Sequence, residues 1–242
     1  MSPEIARRLE ELRADSVSGA VELAVQAIDL ALASPEDRTA LAREFQFMHP
    51  AIVTVANVGR LLDQPGADLT GLRWSLLEGN RQIASHLAGL LRPACRVLTL
   101  SNSSTVEAAL RAAAHCQVYI LESLPGGEGG LLAQKLGATV VPDAVMGRQV
   151  SAMDLALVGI DAYDASGAIL NKIGTLPLAR CCARFGKPFY AAGHSFKRSP
   201  TATARLLAAE EAAAEPGVSR FDRTPPELIT AIFTEQGRLG SG

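Results

Sequence analysis

The sequence predicts an α/β protein, a Rossmann-like and mostly parallel sheet domain preceded by a helical N-terminal domain. Three observations predict it. Up to about residue 92, apolar residues recur at helical spacing. From residue 94, short apolar runs alternate with helical segments. Those runs are continuously apolar rather than alternating, the pattern of strands buried on both faces of a parallel sheet. The chain has 242 residues, enough for one to two domains at about 150 residues each. The change of character divides it into 1–92 and 93–242.

In the first part the periodic positions are Ile5, Leu9 and Leu12, then Val21, Ala24, Val25, Ile28 and Leu32, then Ile83, Leu87, Leu90 and Leu91. Ser34-Pro35 and Gln64-Pro65-Gly66 punctuate them, which gives about four or five helices. In the second part the apolar runs are Arg96–Leu100, Gln117–Leu121, Ala138–Val141, Leu155–Ile160 and Pro188–Ala192. Helical stretches of about 12 to 15 residues between most of them complete repeated β–α units.

Composition narrows the function classes. Hydrophobic residues make up 48% and charged residues 20%, an ordinary globular balance that rules out wholesale disorder. The net charge is −2, without the basic excess of a nucleic-acid binder. No run approaches 18 apolar residues, so no membrane span is expected. The charged, amphipathic start is unlike a signal peptide, and the chain is read as cytoplasmic. Cys95, Cys116, Cys181 and Cys182 show no metal-ligand spacing and read as reduced, buried small residues, with no metal expected.

Open parallel sheets bind ligands beyond the carboxyl ends of their strands, and there this chain is polar. Strand one runs into Ser101-Asn102-Ser103-Ser104, strand two into Glu122-Ser123, strand three into Asp143, strand four into Asp161, and strand five into His194-Ser195-Phe196-Lys197. Such a cup suits a small polar ligand. Ser104-Thr105-Val106-Glu107 fits a capping box, and Asn171-Lys172-Ile173-Gly174-Thr175 reads as opening a second helix. Both helix starts are candidate phosphate sites, or caps alone. The run Pro125–Gly130 is not a P-loop, and no GxGxxG follows strand one, so no dinucleotide cofactor is expected. Its glycines read as a close backbone approach, a lid or a plain loop. Asp161 can act as general acid or base or merely cap a helix, His194 as a site or a structural imidazole.

Residues 158–175, VGIDAYDASGAILNKIGT, resemble the signature of one family. It unites the alpha, beta and delta subunits of translation initiation factor 2B with methylthioribose-1-phosphate and ribose-1,5-bisphosphate isomerases. Lys187-Pro188-Phe189-Tyr190, Ser195-Phe196-Lys197, Phe221-Asp222 with Thr224-Pro225-Pro226, and Ile232–Gly237 match as well. The likeness covers roughly residues 95–237, with a weaker echo in Ser18-Gly19-Ala20 and His49-Pro50. The resemblance implies the two-domain fold and pairing into dimers or higher homo-oligomers through the C-terminal domain. It also implies a phosphorylated sugar or nucleotide as ligand.

In the isomerases of that family a cysteine and an aspartate flank the sugar. The aspartate matches Asp161, and the cysteine position falls on Ser101, a hydroxyl with a far higher pKa than a thiol. The ligand-binding asparagine and lysine match Asn171 and Lys172, and a later lysine matches Lys197. Where those isomerases carry phosphate-gripping arginines, this chain has Ser18, His49 and the arginine-free Glu122-Ser123-Leu124-Pro125. The expected catalytic residues are therefore Asp161 and Ser101, and the expected substrate contacts are Asn171, Lys172, Lys197, His194, Glu122, Asn102 and Ser103. Two functions follow: an aldose-to-ketose isomerase of a phosphorylated (thio)pentose, or a non-catalytic, ligand-sensing subunit.

Overall fold

A computed structural model describes residues 1–15, 18–48, 52–214 and 219–239. The chain opens with helices α1 (Pro3–Ala14), α2 (Ala20–Ala33), α3 (Arg38–Met48), α4 (Val53–Leu62) and α5 (Leu69–Leu87). Local chemistry starts them where the sequence permits. Ser2 Oγ accepts from Ile5 N–H ahead of Pro3, and an Asp68 carboxylate oxygen accepts from Gly71 N–H, so α1 and α5 begin on side-chain caps. Ile5, Leu9 and Leu12 bury one face of α1 against Leu23, Ile28, Leu41 and Phe45. Leu32, expected inside, is instead 42% exposed.

The second part is a doubly wound sheet. Its strands are β1 (Arg96–Leu100), β2 (Gln117–Leu121), β3 (Thr139–Val141), β4 (Leu155–Gly159), β7 (Phe189–Ala192), β9 (Ala231–Thr234) and β10 (Gly237–Leu239). Their order is β10-β9-β7-β4-β1-β2-β3, parallel throughout except for β10 against β9. Helices α6 (Ser104–Ala112), α7 (Glu128–Leu136), α8 (Met146–Ala152) and α9 (Thr175–Arg184) make the connections. They are shorter than the expected 12 to 15 residues. No helix among the described residues is long and apolar enough to cross a membrane.

Strand residues feed two cores in alternation. Val97, Leu155 and Leu157 meet α5 and α6 on one face, while Leu98, Leu100, Ala156 and Val158 meet α8 and α9 on the other. Full burial of each leucine stabilises by about 1.5–3 kcal/mol. Helix α5 serves both halves of the protein: Leu69 and Leu76 lie in the helical core, and Ile83, Ala84 and Leu87 in the sheet core.

A second sheet departs from the expected pattern. Strands β5 (Ala162–Tyr163), β6 (Ile169–Lys172) and β8 (Phe221–Thr224) pair antiparallel in the order β5-β6-β8. Helix α10 (Thr203–Ala213) packs Leu206 and Leu207 over it, with Ala162, Leu170 and Val53 of α4. Asn171 and Lys172 therefore end a strand rather than open a helix. The glycine run also resolves into structure: Gly126 and Gly127 turn the chain at positive φ, and α7 starts at Glu128. A Cβ on Gly129 would stand 1.8 Å from the carbonyl oxygen of Leu121, so α7 lies on β2 only because residue 129 lacks one. We expect Gly129→Ala to cost about 1–3 kcal/mol by overpacking, read as a lower midpoint in urea unfolding. An unchanged midpoint would mean that α7 shifts freely on β2.

Candidate active site

The strand order reverses direction of travel between β1 and β4, so the crevice of a doubly wound sheet lies beyond their carboxyl ends. Ser101-Asn102-Ser103 leaves β1 on that side, and Ile160-Asp161 leaves β4. Gly159 makes their approach possible. A Cβ there would stand 2.7 Å from Ser103 Oγ and 3.8 Å from Asn171 Oδ1. Ser103, Gly159 and Asn171 thus meet at the switch point, and Asn171 Nδ2 is fixed by donating to Thr175 Oγ1 at 3.0 Å.

Asp161 is partly buried, its N–H donating to Leu170 O at 2.9 Å. Burial pushes its carboxyl above the usual range, and the ammonium groups of Lys197 and Lys172 oppose that rise. Lys197, 5% exposed, donates from Nζ to the carbonyl of Ile160. Burial draws its pKa down, and Asp161 holds it up. Lys172, also buried, donates from Nζ to Pro125 O at 2.8 Å and to Glu128 Oε1 at 2.6 Å. The β6 strand and the start of α7 are thereby joined beside Asp161.

The short turn carrying Lys197 is gripped from the helical part. Asn57 of α4 donates from Nδ2 to the carbonyls on either side of that lysine, Phe196 O at 2.6 Å and Arg198 O at 3.1 Å. Arg60 Nη1 donates to Asn57 Oδ1 at 2.6 Å and so fixes the amide. Glu235, just past β9, accepts from Ser195 N–H at 2.8 Å and from the Ser195 hydroxyl.

Other expected site residues turn elsewhere. His194 is 1% exposed, seats against Gly79 of α5, and pairs through Nε2 with Asn80 Oδ1 at 3.0 Å. Thr105 Oγ1 donates to the same Asn80 oxygen at 2.8 Å. Burial lowers the imidazole to about 4, aided by Lys197, so it is neutral at physiological pH. Asn102 Oδ1 accepts from Lys135 Nζ at 3.3 Å, on the α7 side. Glu122 Oε1 accepts from Asp143 N–H at 3.4 Å. Ser18 N–H donates to Asp15 Oδ1 at 2.8 Å, and His49 lies outside the described residues.

Both helix starts differ from the sequence reading. Ser103, not Ser104, caps α6, accepting from Val106 N–H, and Glu107 pairs with Arg111 and Lys135 instead of closing a capping box. Helix α9 begins at Thr175, and its first amides are not free: Gly174 and Leu176 N–H donate to the carboxylate of Asp222 at 2.9 and 3.0 Å. A carboxylate of the chain therefore takes the amides that the sequence offered to a phosphate. Sequence reasoning did not single out Asp222, Asn57, Asn80 or Glu128 as site residues. Asp222 carried a signal, an acidic residue inside a matched segment, but its partner lies 46 to 48 positions away.

The fold is Rossmann-like, with a strand-end carboxylate flanked by two lysines at its switch point. Residues 71–241 match the model of the Initiation factor 2 subunit family (IF-2B), and the chain belongs to that family. It is 27% identical to a ribose 1,5-bisphosphate isomerase of Haloferax volcanii, over 98% of this chain and 89% of that protein. It is 30% identical to a putative translation initiation factor eIF-2B subunit 2-like protein of Pyrococcus horikoshii, over 98% of this chain and 97% of that one. A solved structure titled as translation initiation factor eIF-2B of Pyrococcus horikoshii superposes with a TM-score of 0.82 at 26% identity, over 99% of this chain and 98% of the other. The fold is also that of 5-methylthioribose 1-phosphate isomerase from Pyrococcus horikoshii, with a TM-score of 0.68 at 17% identity, over 97% of this chain and 84% of that one.

Asp222 supplies a pH test. Burial pushes its carboxyl from 3.8 up to about 6, against the hydrogen bonds from Leu176, Gly174 and Thr175. The folded state then holds this proton more tightly than the unfolded state. The resulting stability is present below about pH 4 and is lost as pH rises to about 6. We expect wild type to lose about 3 kcal/mol relative to Asp222→Asn between about pH 4 and pH 7, measured by urea unfolding. His194 works with the opposite sign over an overlapping window, and the difference between the two proteins removes it. A pH-independent difference would refute the assignment.

Proposed function

We propose that this chain is an aldose-to-ketose isomerase acting on a phosphorylated pentose or thiopentose, with Asp161 as the proton-transferring group. The observation that carries this reading is a partly buried carboxylate at the sheet's switch point, set between two buried lysines. Moving a hydrogen between adjacent carbons of a sugar needs a group that gives and takes a proton near neutral pH. Burial brings a carboxyl towards that range, and the neighbouring ammonium groups keep its ionised form accessible. Lys172, Lys197 and Asn171 are the proposed substrate contacts, with Ser103 at the start of α6. Ser101, which follows β1 next to β4 in the sheet, is the proposed second catalytic group. The name of the Haloferax relative, a ribose 1,5-bisphosphate isomerase, supports the reaction class.

A second reading, a ligand-sensing subunit without chemistry, is favoured by Ser101. A hydroxyl cannot exchange protons as a thiol does unless a base activates it. The initiation-factor relatives also match nearly end to end. Under either reading we place the protein in the cytoplasm as a homodimer or higher homo-oligomer formed through its C-terminal domain.

A thermal-shift screen against pentose and methylthiopentose phosphates and nucleoside monophosphates separates the readings. Ligand at about 100 times Kd should stabilise by about 2.7 kcal/mol. Hits are then followed by NMR for conversion of aldose to ketose. Stabilisation with conversion is the expected result, and stabilisation without it establishes the sensor. Asp161→Asn should abolish conversion while keeping the ligand-induced shift, and conversion by that variant would remove Asp161 from the reaction. Ser101→Ala should weaken binding by about 0.5–1.5 kcal/mol if the hydroxyl only contacts ligand.

A further inference from the structure

Non-glycine residues with left-handed backbone are uncommon, and the described chain has three, of which two are Ser101 (φ +62°) and Ser123 (φ +65°). They stand at the carboxyl ends of neighbouring strands: β1 and β2 pair in register up to Leu100 with Leu121. They are also bonded to each other. Ser101 N–H donates to Ser123 Oγ at 2.7 Å, and the Ser123 hydroxyl donates in turn to Leu121 O at 2.9 Å. Both capacities of that hydroxyl are thus committed, in a residue 3% exposed.

The chain of bonds continues to the edge of the sheet. Ser123 N–H donates to Asp143 Oδ1 at 3.0 Å, and Leu124 N–H donates to Asp143 Oδ2 at 2.8 Å. Asp143 follows the three-residue edge strand β3, and its own N–H returns to Glu122 Oε1. One carboxylate just past the edge strand therefore locks the turn after β2, and one hydroxyl in that turn locks the residue after β1. Glycine would take the Ser101 conformation without strain. A serine kept there, and held by a dedicated partner, is a side chain whose placement is being enforced.

We propose that Ser123, itself held by Asp143, is the positioning residue for Ser101. It fixes the left-handed backbone at the end of β1 and so sets where the Ser101 hydroxyl stands relative to Asp161 across the switch point. The kinetic part of this assignment rests on the isomerase reading above; the structural part does not.

The test combines amide hydrogen exchange with kinetics on the full chain. In Ser123→Ala, exchange at the Ser101 amide should rise about 10-fold or more, with Leu98 in mid-strand unchanged. Turnover should fall through kcat, by about 10-fold or more, with KM within about 3-fold of wild type. Because Ser123 acts through Ser101, adding Ser123→Ala to Ser101→Gly should lower kcat no further. Should Ser123→Ala fail to fold, Asp143→Asn carries the same measurements. Unchanged protection at Ser101 overturns the proposal, and so does an equal drop in kcat in the Ser101→Gly background. Lost protection in a protein whose wild type converts no sugar phosphate supports the positioning role and removes the isomerase reading alone.

Discussion

A lysine ammonium cannot be taken out of water without partners that replace its hydration, and at Lys197 this requirement organises the centre of the molecule. The ammonium finds the carbonyl of Ile160 and the charge of Asp161, both at the end of β4. To reach them, the turn after β7 must run tightly along the sheet's carboxyl edge. That turn is held from outside the sheet, by Asn57 of α4 on its carbonyls and by Glu235 beyond β9 on Ser195. Phe196 meanwhile packs into the helical core. The helical part is therefore built into the crevice rather than attached to it. Helix α5 completes the coupling, since Asn80 on it ties His194 after β7 to Thr105 at the start of α6.

How much of this was legible follows from which forces act locally. The limits of β1 and β2 are those read from the sequence, because a strand buried on both faces is a continuous apolar run whatever surrounds it. Strands β6 and β8, ILNK and FDRT, were not legible as strands. The first is only half apolar and the second has a single apolar residue, and what makes them strands is their pairing with one another across some fifty residues. The same blindness affected caps. Ser103 and Ser104 are equivalent in composition, and only the backbone at the end of β1 selects Ser103. The fill of the α9 start by Asp222 is invisible for the same reason.

Strand ends were the better guide to the crevice. They put Asp161, Lys197, Ser101 and Ser103 on one edge by topology alone. The sequence could not tell how each side chain is spent. His194 and Asn102 share that edge with Asp161, yet one bonds to Asn80 and the other to Lys135. Position along a strand decides the edge; packing of the neighbouring helices decides which side chains remain at the crevice.

Those internal partners also set a condition on any anionic ligand. The start of α9 is occupied by Asp222, Lys172 is paired with Glu128, and Lys197 faces Asp161. Each of these positive centres is matched by a carboxylate of the chain. A phosphate group entering the crevice would add negative charge close to Asp161, and like charges raise the proton affinity of a carboxylate. Burial already acts on Asp161 in that direction. Anion binding and protonation of Asp161 are therefore coupled, unless Glu128 gives up Lys172. In the proposed isomerisation this coupling has a use. With its proton gained as the substrate arrives, Asp161 would enter the reaction as the general acid.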